Sequence, residues 1–153
     1  MGNSGSKMPR WTHSRETVLV FIVLLVAGCD SGDPRLVPVF GQITFGGGAW
    51  PAEGTLTFSP VAPAEGCPAI PGTGEFATDG SLQVQTFKPG DGLMPGRYKV
   101  SVECWEQPPT YTDPVGKNSY VPPAYRTAET SPLEIVVQID ASEHEMTAEV
   151  PRL

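Results

Sequence analysis

Between Val37 and Val150 the apolar side chains recur at every second position, in runs of four to eight residues separated by glycine, proline and aspartate. Val37, Val39, Ile43 and Phe45 fall on one face of a first run, with Gly41 among them, and Gln42 and Thr44 fall on the other. Gly46-Gly47-Gly48 breaks it. Leu56 and Phe58 alternate with Thr55, Thr57 and Ser59 in a second run, which Pro60 is expected to end. Phe76 and Thr78 lead into Asp79-Gly80, a dipeptide suited to a positive backbone φ, and Leu82, Val84 and Thr86 resume the alternation, so a hairpin is predicted there. Tyr98, Val100, Val102 and Cys104 share a face against Lys99, Ser101 and Glu103. Leu133, Ile135, Val137 and Ile139 alternate as well. After a turn over Asp140 to Glu143, Met146, Ala148 and Val150 oppose Glu145, Thr147 and Glu149, which predicts a closing hairpin.

No segment carries a sustained 3.6-residue stripe, so the pattern predicts an all-β domain: a single seven-stranded antiparallel β-sandwich over residues 37–153. Its awkward stretch is 105–132, with six prolines and no convincing strand. That is longer than compact domains usually leave unstructured, and it reads as a rigid crossover or a functional loop.

Upstream the pattern changes to an uninterrupted apolar run from Val18 to Ala27, preceded by Lys7, Arg10 and Arg15. These are the charged and apolar regions of an export signal. Ten residues of helix cover about 15 Å, half of a hydrocarbon core of about 30 Å, and Asp30, Asp33 and Arg35 follow at once, so a permanent transmembrane helix is a poor reading. Val26-Ala27-Gly28-Cys29 resembles the lipobox of bacterial lipoproteins, placed where such a motif works, at the end of the apolar run. The resemblance implies cleavage before Cys29, a diacylglyceryl group on its sulfur, and acylation of the new amino group. The expected organisation is a signal peptide at 1–28, whose true start is Met1 or Met8, then a lipidated Cys and tether at 29–36, then the β domain.

Composition sharpens this. Glycine and proline number 17 each among 153 residues, well above average usage, which argues against a helical bundle. Charged residues are 18% and hydrophobic residues 39%, enough apolar material for one core. The formal charge of -7, with no cluster of Lys or Arg, excludes nucleic acid as a partner. Removing the basic leader leaves the domain more acidic still, so the membrane contact is expected to be the lipid alone.

Gly41-Gln42-Ile43-Thr44-Phe45, then Gly54 to Ser59, then Gly74 to Leu82 resemble the opening of carboxypeptidase regulatory-like, or transthyretin-like (prealbumin-like), domains of small bacterial lipoproteins. Gly90 to Val100, with its Pro95-Gly96 turn feeding Tyr98, is similar to that family's loop and strand. Val121-Pro122-Pro123-Ala124-Tyr125 before Thr130-Ser131-Pro132-Leu133 is similar to its proline-tyrosine segment. The likeness covers about Val37 to Val150 and departs at Gly46 to Trp50, where the family often carries a polar turn. It implies a seven-stranded sandwich and no activity, since function is grafted onto such folds.

Candidate chemistry is sparse. Cys67 and Cys104 either pair as a disulfide in an oxidising compartment or stand as separate thiols. His144 is the one histidine after Cys29, so neither a zinc site nor a nucleophile with its base is assembled by spacing. Asp79-Gly80 and Asp91-Gly92 read as turns rather than calcium loops. Trp105, Tyr111, Tyr120 and Tyr125, with Trp50, either stack on a ligand or pin the crossover to the core. The sequence therefore predicts a lipid-anchored cell-envelope protein, facing the periplasm from the inner membrane or sitting in the outer one. Its β domain is expected to act as a non-catalytic structural or interaction module, meeting an envelope protein or glycan, with no catalytic residue, metal or cofactor beyond the Cys29 lipid. The alternative is a carbohydrate- or peptide-binding module using the aromatics of 105–125.

Overall fold

The computed structural model describes residues 1–2 and 35–152. The apolar leader, the lipobox residues Val26, Ala27, Gly28 and Cys29, and most of the tether lie outside the described residues. No helix among the described residues is long and apolar enough to cross a membrane.

The described chain is all-β. Its strands are β1 (Val39–Phe45), β2 (Gly54–Pro63), β3 (Gly72–Phe76), β4 (Ser81–Gln85), β5 (Gly96–Gln107), β6 (Lys117–Ser119), β7 (Glu134–Val137) and β8 (His144–Val150), with one 3-10 turn at Pro123–Tyr125. They form one hydrogen-bonded path, β6-β5-β2-β3-β4-β1-β8, and β7 joins on β5 beside β6. Alternation works as predicted within the strands: β5 buries Tyr98, Val100, Val102 and Cys104, β2 buries Leu56 and Phe58, and β4 buries Leu82 and Val84. All of them meet Ile43 of β1, Val137 of β7 and Val150 of β8 in a single core.

Four features depart from the sequence reading. Strands number eight among the described residues, because Lys117-Asn118-Ser119 pairs with Trp105 and Gln107 of a long β5. β2 runs through Pro60 to Pro63, with a register shift between Pro60 and Ala62. Proline is tolerated there because β3 stops pairing at Phe58 opposite Gly72, so that side of β2 asks for no donor. The β3–β4 hairpin forms around Asp79-Gly80 as expected, with Phe76 opposite Leu82.

The other two departures concern pairing. β7 and β8 are not a hairpin: β7 is antiparallel to β5, and β8 is parallel to β1, Val39 opposite His144 through Phe45 opposite Val150. The sheet is therefore not purely antiparallel. This connection also dictates the curl. From β7 to β8 the path takes six inter-strand steps, which in a flat sheet would span about 29 Å. Residues 138–143 bridge it with a reach of at most about 25 Å. A flat sheet cannot be connected this way, so it rolls its apolar face inward and becomes half a barrel. Gly41 makes the last step of that roll possible: its φ is +146°, and a Cβ there would strike the Met146 backbone carbonyl.

The 105–132 stretch is organised. After β5 and β6, Val121 is wholly buried, and the Arg126 guanidinium donates to the Val121 carbonyl at 2.7 Å. Buried Ser131 donates its hydroxyl to the Val100 carbonyl, which fastens the crossover to β5 before β7 begins.

Candidate functional site

The four tethered or candidate aromatics do not form one platform. Trp105 sits on the outward phase of β5, its indole N–H buried without a hydrogen-bond partner. Tyr111 lies fully exposed on the β5–β6 loop, held away from the core by a tight turn in which Thr110 and Asp113 bond each other. Tyr125 lies in the 3-10 turn, packed against the core. Tyr120 reaches a concave site. Its backbone N–H donates to the Cys104 carbonyl at 3.0 Å, which sets its side chain on the core side of the sheet's end.

That site is a shallow depression of about 360 Å³ lined by Phe45, Ala49, Trp50, Pro51, Tyr120 and Arg152. Trp50 is its floor. The β1–β2 connection turns back so that the indole N–H donates to the Ile43 carbonyl at 2.8 Å, and the ring stacks on Phe45 with centroids 4.8 Å apart and leans on Phe76 at 4.6 Å. Arg152 closes one side: its guanidinium lies 5.6 Å from the Phe45 ring centroid and its Nε donates to the Phe45 carbonyl at 3.2 Å. The arrangement offers an aromatic wall with one cation at the rim, able to stack on a planar or sugar face and to meet an acceptor oxygen. Trp50 is only 3% exposed, so most of its surface is already spent on the core. Sequence reasoning named Trp50 and Tyr120; nothing in the pattern around Arg152 marked it as their neighbour.

A second depression, about 320 Å³, lies along β3 and β4 and is polar, with Glu53, Glu75, Ser81 and Gln83 among its lining. Among the described residues no group of three or more His, Cys, Asp or Glu side chains is placed to hold a metal ion. His144 starts β8 half-buried, its backbone N–H donating to the Pro38 carbonyl at 2.8 Å.

The two thiols are free and far apart, which corrects the disulfide alternative. Cys104 lies opposite Gly54, at one end of β2. Cys67 lies in the loop beyond the other end of β2, where Ala64 bonds Pro95 just before β5 begins. Most of the length of β5 separates them, roughly 25 Å at strand rise, against the 7 Å limit between bridged Cα atoms. Burial pushes the Cys104 thiol above its ordinary value, only partly offset by a backbone hydrogen bond at Ala52, and its Sγ lies 3.4 Å from the Ala52 carbonyl, to which the thiol donates, so it stays protonated and unreactive. Burial likewise raises Tyr98, with Cys67 nearby adding to the effect; the phenol donates to the Met94 carbonyl at 2.9 Å.

Asp79-Gly80 lies in the β3–β4 turn, whereas beside Asp91-Gly92 the turn is Pro89-Gly90, closed by the Asp91 N–H on the Lys88 carbonyl at 3.1 Å. Asp79 Oδ1 accepts from the Ser81 N–H at 2.9 Å. Asp91 gathers three backbone donors, from Thr86 at 2.7 Å, Phe87 at 3.0 Å and Lys88 at 2.8 Å. No family model, curated protein or solved structure matches the chain.

Proposed function

We propose that the chain is an exported lipoprotein of the cell envelope, anchored through lipid on Cys29, whose β domain works as a non-catalytic structural or interaction module of the transthyretin-like, carboxypeptidase regulatory-like kind. The observation that carries this reading is the Val26-Ala27-Gly28-Cys29 motif, closing an apolar run with basic residues upstream and standing eight residues before the first core side chain, Val37. The sandwich architecture is supported by the core itself, in which inward residues of β2 and β5 pack with those of β1 and β8 across the rolled sheet. The periplasmic side of the inner membrane and the outer membrane both suit such an anchor. The intact mass of detergent-extracted protein tests the proposal: a chain beginning at Cys29 and carrying acyl groups is expected, and an unlipidated Cys29 or an uncleaved leader overturns it.

A second reading is favoured by one observation, the meeting of Tyr120 with Phe45, Trp50 and Arg152 around an open depression. It makes the domain a carbohydrate- or peptide-binding module at that place. Envelope glycan fragments or short peptides should then shift tryptophan emission, and Tyr120→Ala should abolish the shift. A flat response across such a panel removes this reading and leaves the first untouched.

A further inference from the structure

The chain enters the sheet at Val37, and three loops gather round that entry. Val37 and Leu93 exchange backbone bonds at 2.9 and 3.0 Å, which ties the entry to the β4–β5 loop. The His144 N–H bonds the Pro38 carbonyl at 2.8 Å, which brings in the β7–β8 loop, and Ala64 bonds the Pro95 carbonyl at 3.0 Å, which brings in the β2–β3 loop. The strand directions agree, since β1, β5 and β8 all start at this end.

This end presents apolar side chains to water. Phe87 in the β4–β5 loop is 58% exposed, Ile139 in the β7–β8 loop 50%, and Val61, beside the irregularity in β2, 48%. Two of them depart from their local pattern: Ile139 continues the inward phase of β7 beyond the end of the strand, and Val61 sits where the β2–β5 register shifts. At the opposite end of the sheet the exposed apolar side chains are Tyr111 and Val115, on the β5–β6 loop. Phe40 and Val136 lie on the outer face.

We infer that the entry end of the domain, with Phe87 and Ile139 on its loops and Val61 two residues before the end of β2, rests on the lipid bilayer and puts these side chains into the interface. The inference rests on the lipid anchor proposed above. What selects the bilayer as occupant is the length of chain between the two. Seven residues separate Cys29 from Val37, and the eight steps between them reach at most about 28 Å, whereas β5 alone is about 36 Å long at strand rise. An acylated Cys29 therefore holds this end within reach of the headgroups, at high effective concentration, so that contacts too weak to bind a free domain become populated. The charge at this end favours neutral lipid. Exposed Glu65, Asp140 and Glu143 offset Arg35 and Lys88, and Asp91 is engaged by its own loop, so the attraction is apolar rather than electrostatic. The membrane contact is then more than the lipid alone.

The test uses the full lipidated chain in phosphatidylcholine vesicles whose acyl chains are brominated close to the headgroup, so that bromine quenches only indoles lying in the interface. Two variants are compared, Phe87→Trp at the entry end and Tyr111→Trp at the far end, both at exposed positions that tolerate the larger ring. Flotation of the vesicles reports the anchor separately. The expected result is that both variants float and that quenching of the Phe87→Trp indole exceeds that of Tyr111→Trp by about threefold or more. Flotation with equal quenching of the two overturns the inference and leaves the anchor standing. Failure to float overturns both.

Discussion

The two ends of the sheet are held by different physics. At the far end, order comes from side chains: Trp50 folds under the β1–β2 connection, stacks on Phe45 and Phe76, and spends its one donor on Ile43. At the entry end, buried Val37, Leu93, Met94 and Tyr98 are joined by a set of backbone ties: Val37, Pro38, Ala64, Leu93, Pro95 and His144 link three loops to one another, and the Asp91 carboxylate closes the β4–β5 loop on three N–H groups. The difference follows from what each end can bury. The far end carries large rings that cover the mouth of the roll, whereas the entry end leaves Phe87 and Ile139 outside and must hold its loops without them. Loops closed largely through their backbone leave Phe87 and Ile139 free for something else.

Removing the aromatic floor should do the most damage. Trp50→Ala takes away a nearly fully buried ring and its hydrogen bond, and a loss of about 3–5 kcal/mol is expected from denaturant unfolding of the domain. Trp50→Phe keeps the stacking and loses only the donor to Ile43, so it should recover most of that stability. Equal losses in the two variants would show that the hydrogen bond, not the packing, holds this end.

At the entry end the corresponding variant is Asp91→Ala, with an expected cost of about 1–2 kcal/mol, because three charge-assisted bonds are lost at a largely solvated site. Partial burial works against the Asp91 carboxylate, but the N–H groups of Thr86, Phe87 and Lys88 outweigh it and hold its pKa below the ordinary value. A depressed native value means that the carboxylate's contribution is complete above the unfolded-chain value of about 4 and is lost as pH falls through the lower native one. The wild type should therefore lose stability between neutral pH and about pH 3 more steeply than Asp91→Asn, which has no charge to protonate. Asp79 shares the Asp-Gly dipeptide, and its Ser81 bonds lower its pKa too, but it is fully solvated, so Asp79→Ala should cost less than Asp91→Ala. Matching losses would mean that the three-donor cradle adds nothing over a simple turn.

How much of this contrast was legible in the sequence depends on how local its cause is. The inner faces of β1, β2, β4, β5 and β8 follow from alternation, because a strand's side-chain period needs no knowledge of its neighbours. β3 is fainter, since two of its three inward positions are Gly72 and Gly74, and β6 carries no apolar residue at all. Ile139 keeps phase with Val137, so alternation alone reads it as inward; only the end of β7 at Val137 exposes it. Pairing was not legible. A six-residue turn between two alternating runs looks the same whether the runs pair with each other or, as here, with β5 and β1 on opposite edges. Pro60 misled for the same reason, because its tolerance depends on where β3 stops. Of the aromatic site, Trp50 and Tyr120 were visible as residues, but Arg152 reaches Phe45 only because β8 lies parallel to β1.

The thiols give a finer comparison, one at each end. Cys104 is 1% exposed and donates to the Ala52 carbonyl, whereas Cys67 sits half-buried in the β2–β3 loop. In the folded protein an alkylating reagent should modify Cys67 at least about tenfold faster than Cys104, with Cys104 reacting only after denaturant is added. Comparable rates would mean that the far end opens as readily as the entry end, and the contrast between packed and backbone-tied ends would fail.

The smallest expected effect is the sharpest control. Tyr111 touches nothing that holds the far end together; its loop is turned by Thr110 and Asp113, and the ring lies fully in water. Tyr111→Ala should change stability by no more than about 0.5 kcal/mol. Phe87→Ala at the entry end should be equally mild, because the bond to Asp91 comes from the backbone N–H of Phe87 and survives truncation of the ring. A ring that large, exposed, and unneeded by the loop that carries it costs the free domain little to lose. If Phe87→Ala instead cost as much as Asp91→Ala, the ring would be part of the loop's own packing, and the entry end would have no apolar surface left to offer a membrane.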